Sequence, residues 1–200
     1  MKAPAKNTNK KSLKGTVTAL MVYVYTFFQQ TDAQFGQDPG HSPDLLFQDL
    51  NVFTALSVPS ASASPGDTLT ITGDHTFPMG SGFINLSTYR DGAEVNGKSA
   101  GEPGFQIKDN SLTFVIVGDS AVIKEKAENM KNRPLIFLVR DPQPGSVRYQ
   151  QLGTAENPCV VTAVEQTSGN KTKGGTKGYK ITVAAVEQIY DYQGTIVLNS

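Results

Sequence analysis

The sequence has no tryptophan, one cysteine and two histidines in 200 residues, and each shortage removes a class of answer. With Cys159 alone, no disulfide can form within the chain, and nothing in its cysteine usage points to an oxidising compartment. The surrounding NPCVVTAV is apolar and strand-like, so Cys159 reads as a small buried hydrophobe rather than a reactive thiol. His41 lies in a Gly/Pro loop and His75 in TGDHTF, without HExxH, CxxC or a carboxylate repeat at ligand spacing. No metal site, cofactor or small-molecule substrate is therefore expected, and Asp74 beside His75 reads as a turn.

Acid is missing from the first fifteen residues, which hold Lys2, Lys6, Lys10, Lys11 and Lys14. The whole chain has 18 basic and 18 acidic residues, so removing those five lysines leaves 13 against 18, or −5, on the remainder. A basic arm precedes a mildly acidic body. The arm reads as a solvated tail, because five lysines without arginine or interleaved aromatics make a weak nucleic-acid signature. Long apolar runs are also missing. GTVTALMVYVYTFFQQ follows the lysines in the outline of a signal peptide, but it is too short to span a bilayer. It lacks a small-x-small cleavage site, and Tyr23, Tyr25 and Phe27 alternate with Val22, Val24 and Thr26. An uncleaved strand is the preferred reading.

What is present is a turn-rich β pattern: 38% hydrophobic residues with 19 glycines and 11 prolines. The clearest stretch is Leu112–Leu152. LTFVIV alternates as a strand and stops at Gly118; Asp119 and Ser120 are placed to cap a helix. Ile123, Ala127 and Met130 fall on one side of that helix, with Lys124, Glu125, Lys126 and Glu128 on the others. Pro134 ends it, and LIFLV follows as a strand buried on both faces. Upstream, Leu69–Ile71 and Phe83–Tyr89 read as strands. Residues 29–44 read as a long irregular connection, and 44–54 as either strand or helix. Downstream, Cys159–Glu165, Tyr179–Val186 and Tyr192–Leu198 read as a meander of antiparallel strands.

Two motifs carry possible chemistry. A strand, Gly118-Asp119-Ser120 and a helix are how the nucleophile block of GDSL-type esterases begins, but that serine needs a downstream histidine as base. No histidine follows His75, so Ser120 reads as a helix cap. SGNKTKGGTKG lacks the GxxxxGK[ST] spacing and is flanked by strands, so it reads as a cationic hairpin tip and not a phosphate loop. No catalytic, cofactor-binding or metal-binding residue is assigned. The expected fold is mainly β, a β-sandwich or partly closed antiparallel barrel, with one short flanking α-helix at about 120–131. The expected organisation is an N-terminal arm, strand and long loop (1–50), then a β-rich domain (51–200).

PGDTLTITG alone resembles the opening of immunoglobulin-like modules of the IPT/TIG type, which implies a secreted binding module as one alternative. A longer resemblance joins TITGDHTFPMGSGFINLSTYRDG, NSLTFVIVGDSAV, KNRPLIFLVRD, RYQQLGTAENPCVVT and KGYKITVAAV, over about residues 66–197. Read in that order, these segments are similar to phage tail tube and related virion structural proteins of Bacteroidetes phages and prophages. That resemblance implies a non-enzymatic, self-assembling subunit located in the virion, whose partners are copies of itself and neighbouring virion proteins. Passive contact with genomic DNA is implied, with no membrane. A capsid-associated or decoration subunit is the close alternative.

Overall fold

The computed structural model describes residues 41–60, 65–89, 93–140, 148–168 and 177–199. The lysine arm, the expected strand around Tyr23–Phe27, the Asp91-Gly92 turn and the glycine and lysine loop lie outside these residues.

The described residues form strands β1 (His41–Asp49), β2 (Thr70–Ile71), β3 (Ile84–Tyr89), β4 (Glu94–Ala100), β5 (Ile107–Val117), β6 (Leu135–Arg140), β7 (Tyr149–Leu152), β8 (Val160–Ser168), β9 (Lys177–Ala185) and β10 (Tyr190–Tyr192). One helix, α1 (Ala121–Asn129), lies between β5 and β6. The strands run β2-β10-β7-β6-β1-β3-β5-β9-β8 across the sheet, with β4 also paired to β5. The fold is mainly β with one short helix, as expected.

This sheet curls. Two strands separate β5 from β6 in the order, which on a flat sheet would hold them about 14 Å apart. Yet the Phe114 and Phe137 ring centroids are 5.9 Å apart, and Phe47 stacks on Phe137 at 6.0 Å. The curl brings β8 round to β6, where Leu135 and Cys159 exchange both backbone hydrogen bonds, at 2.8 and 2.9 Å. Closure among the described residues is limited to that pair, so the barrel is partial.

Strand β6 and the Leu45–Gln48 part of β1 are buried on both faces, which is why LIFLV is apolar without interruption. One face meets the largely apolar interior of the curl. There the cross-strand pairs Phe114–Ile181 and Leu112–Val183 lie beside Phe47 and Phe137. The other face meets a second core of Leu46, Leu138, Ile71, Phe83, Tyr190 and Tyr192, with Phe53 and Phe77 packed against it.

Helix α1 begins where Ser120 accepts from the Ile123 N–H at 3.3 Å. It ends as Asn132 takes a left-handed φ of 59° ahead of Pro134. Ile123, Ala127 and Met130 are buried as expected; Lys126 is also buried, because it stands one turn from Ile123 on the same side.

Several expectations are corrected. The connection assigned to 29–44 gives way to strand from His41 onward, and 44–54 resolves into the rest of β1 followed by a 3-10 turn, Leu50–Val52. Asp49 starts that turn by accepting from Asn51 N–H at 2.9 Å. Leu69 ends another 3-10 turn, so β2 is only Thr70–Ile71. The last strand is Tyr190–Tyr192; beyond it Leu198 makes one parallel bridge to Phe83. The C-terminal strands are not a simple meander, since β10 returns to β7 and runs parallel to β2. The hairpin of β4 with the first half of β5 has no counterpart among the expected strands.

Candidate functional site

The Gly118-Asp119-Ser120 motif does not assemble a hydrolase site. Gly118 takes a φ of 120°, open to glycine, and turns the chain from β5 into the helix. Ser120 is spent as the helix cap. Asp119 is not a second cap, contrary to expectation: Lys177 Nζ lies 2.5 Å from its carboxylate, and Gln166 Nε2 donates to it at 2.8 Å. The hydrogen bond from Lys177 is the largest of several influences that hold the Asp119 carboxyl below its ordinary range. The motif thus ties the start of α1 to the β8–β9 hairpin.

The second motif leads to a more organised place. His75 is 2% exposed, and both ring nitrogens are engaged. Nδ1 accepts from the Ser57 N–H at 3.1 Å, which leaves the proton on Nε2, 2.8 Å from Gln151 Oε1. Gln151 in turn donates to the Gly153 carbonyl at 3.1 Å. The imidazole stacks on Tyr192 with centroids 4.5 Å apart and meets Phe53 edge-on at 5.7 Å. Around it, Ser57 Oγ donates to the Asp74 carbonyl and the Thr195 N–H donates to Asp74 Oδ1, both at 2.6 Å. Tyr192 donates to the Thr195 carbonyl at 3.0 Å. Burial pushes the His75 pKa below its ordinary value, against smaller opposing effects of Gln151 and Asp74.

Asp74 and His75 therefore form no surface turn. They are the centre of a clasp that binds segment 53–57, segment 72–77, β7 and the C-terminal segment to one another. The one acceptor nitrogen of the ring is occupied by a backbone donor. The clasp ties these segments together through hydrogen bonds at the buried ring and its neighbours.

Cys159 is fully buried and its thiol is pushed up to about 12 by that burial. Gly153, at a φ of 89°, passes so close that a Cβ there would stand 3.0 Å from Cys159 Sγ. The reading of Cys159 as an inert hydrophobe fits this packing. Glu187 gathers neutral donors: Tyr190 OH at 3.1 Å, Asn157 Nδ2 at 3.3 Å and Thr154 Oγ1, while its carbonyl accepts from the buried Asn110. These bonds fix the β9–β10 connection. No group of three or more His, Cys, Asp or Glu side chains among the described residues is placed to hold a metal ion. No helix among them is long and apolar enough to cross a membrane.

The feature with the character of an interaction site is the β4–β5 hairpin. Ile107, Lys108 and Asp109 pair with Ala100, Ser99 and Lys98 beyond the point where the β9 ladder stops, at Asn110–Ala185. The hairpin projects there as two strands, with a Lys98–Asp109 ion pair of 2.9 Å across it. At its end Phe105 is 84% exposed and Ile107 58%. The signal in the sequence was GEPGFQI, a phenylalanine set among turn residues with no alternating partner to bury it.

No protein-family profile and no curated protein matches this chain. Among solved structures, a chain from the virion of a native gene transfer agent (GTA) particle is similar over 55% of this chain and 88% of its own length, with 14% identity and a TM-score of 0.38.

Proposed function

We propose that this chain is a non-enzymatic virion structural protein that self-assembles into a ring or tube, with tail tube subunit as the leading assignment. The observation that carries this reading is the projecting β4–β5 hairpin. A two-stranded ribbon is marginal by itself, and this one ends in exposed Phe105 and Ile107. Fully burying such a side chain against a neighbour contributes about 1.5–3 kcal/mol. Repeated around a closed ring of identical contacts, that gain stabilises assembly. The order of sequence segments over 66–197 supports the same reading. So does the use of Asp119, Ser120, His75 and Cys159 in packing and capping.

Partners on this reading are copies of the same chain and neighbouring virion proteins, and the location is the virion. Residues ahead of β1, with their five lysines, serve as an extension towards neighbours, and genomic DNA is met only passively by the acidic remainder. The lysine arm favours one second reading, a capsid-associated or decoration subunit.

Negative-stain microscopy of the purified protein tests the proposal. Rings or tubes are expected at high protein concentration, and Phe105→Ser should abolish them while leaving the circular dichroism spectrum unchanged. Strictly monomeric particles, with no ring, tube or capsid attachment, would refute it. Attachment to capsids that is lost on deleting residues 2–14, with no ring at any concentration, would establish the second reading.

A further inference from the structure

The hydrogen-bond geometry around His75 points to an acid-operated latch. We propose that neutral His75 holds segment 53–60 closed over the second core, and that protonation of its ring releases that segment and uncovers the aromatic side chains beneath. The asymmetry of the ring's bonds carries the argument. Nε2 already bears a proton directed at Gln151 Oε1, so the next proton must go to Nδ1, which is the acceptor for the Ser57 N–H. A protonated Nδ1 faces that N–H donor to donor, and one of the two must withdraw.

On balance the surroundings favour the neutral ring, because burial disfavours the cation more than Gln151 and Asp74 favour it. Segment 53–60 carries no ionisable side chain. From segment 72–77 the charged group is Asp74, whose Oδ1 is already held by the Thr195 N–H. From β10 the titratable groups are Tyr192, donating to the Thr195 carbonyl, and Tyr190, donating to Glu187. From β7 comes Tyr149, packed against the same core. Arg148 and Asp191 pair with one another; Asp191 alternates with Tyr190 and Tyr192 and so points to the opposite face. Phe53 and Phe83 supply only rings on the remaining sides.

Apart from the Ser57 N–H bond to His75, segment 53–60 is joined to the body by the Phe53 ring contacts, the Ser57 Oγ bond to the Asp74 carbonyl at 2.6 Å and one short ladder. Its ladder to the body is the Ala55–Thr76 bridge, with Thr54 N–H to Thr76 carbonyl at 2.8 Å and Thr76 N–H to Ala55 carbonyl at 3.0 Å. Val58 is exposed. Release would expose Phe53, Phe77 and Phe83, which form one ring cluster with centroids 4.7 to 5.7 Å apart. Because burial lowers the folded pKa of His75, the latch is shut above the ordinary histidine value of 6.5. It opens as pH falls from there through the lower folded value.

Amide hydrogen exchange of the full chain from pH 7 to about pH 4, corrected for the intrinsic pH dependence of exchange, is the test. Protection of the Thr54, Ser57 and Thr76 amides should fall at least tenfold, while the Phe114 and Leu138 amides keep theirs. The local step should vanish in His75→Gln, which cannot take up the proton. Unchanged protection, a loss shared by every amide, or the same step in His75→Gln overturns the latch. Should that variant not fold, nitrogen NMR of the wild-type imidazole decides: Nδ1 must titrate with the same midpoint as the Ser57 amide, and separate midpoints overturn the proposal.

Discussion

Strand β6 and the Leu45–Gln48 part of β1 are covered on both faces, but the two covers are built from different materials. Inside the curl, Phe47, Phe114 and Phe137 meet Leu112, Ile181 and Val183, and the buried polar groups on that face, Thr88 opposite Ile116 and Asn110, lie towards its margin. On the other side, Leu46 and Leu138 lie under aromatic rings that pack on His75, and His75, Gln151 and Tyr192 are themselves fixed by directed hydrogen bonds. The first cover is specified mainly by volume. The second is specified by donors and acceptors as well, so it is sensitive to changes of polarity that leave its volume alone.

The largest expected effect breaks the inner cover. Phe137→Ala should cost about 3–5 kcal/mol in denaturant unfolding, since it removes a fully buried ring with contacts from two directions. Phe137→Leu should recover much of that loss, because filling space is what matters there. Next comes Gln151→Leu in the outer cover. It nearly conserves volume yet leaves His75 Nε2–H and the Gly153 carbonyl without their partner, and about 1–3 kcal/mol should be lost. If Gln151→Leu proved neutral, the contrast between the covers would collapse.

Outside both covers the effects shrink. Ser120→Ala should cost about 1 kcal/mol through loss of the helix cap, visible as a lower midpoint of thermal unfolding. Asp119→Asn should do least, since its pair with Lys177 is half exposed and screened by salt. Its folded pKa is lowered, so whatever stability it adds is present above the ordinary carboxylate range and fades as pH drops through the folded value. The stability difference between wild type and Asp119→Asn, measured at neutral and at acid pH, should accordingly shrink in acid.

The inner cover was legible in the sequence and the outer one was not. Leu112, Phe114 and Ile116 declare one face by alternation, and LIFLV declares burial on both sides, because a strand's period is local. The helix was equally plain from Ile123, Ala127, Met130 and the stop at Pro134. The clasp draws on Ser57, Asp74, His75, Gln151, Tyr192 and Thr195, and one of its bonds, Thr195 to Asp74, spans 121 residues of chain. No short-range pattern joins them, so His75 in TGDHTF looked like a turn. Lys126 was misplaced because its charge outweighed its position one turn after Ile123. The β4–β5 hairpin was missed because EVNGKSA is exposed on nearly every residue. A strand without a buried face has no alternation to read.

The single rung between Leu135 and Cys159 also sets how the molecule bears load. From β6 through β1, β3, β5 and β9 to β8, each junction is a sheet pairing, and the return from β8 to β6 passes through two backbone hydrogen bonds. Tension that pulls β8 away from β6 therefore concentrates on those two bonds, while the same tension between β5 and β9 is shared by eight facing residue pairs, from Asn110–Ala185 to Val117–Gly178. The circuit is narrow at this rung and at the Thr88–Ile116 pair that joins β3 to β5, so strain is expected to part the sheet at one of those two places before the longer ladders yield.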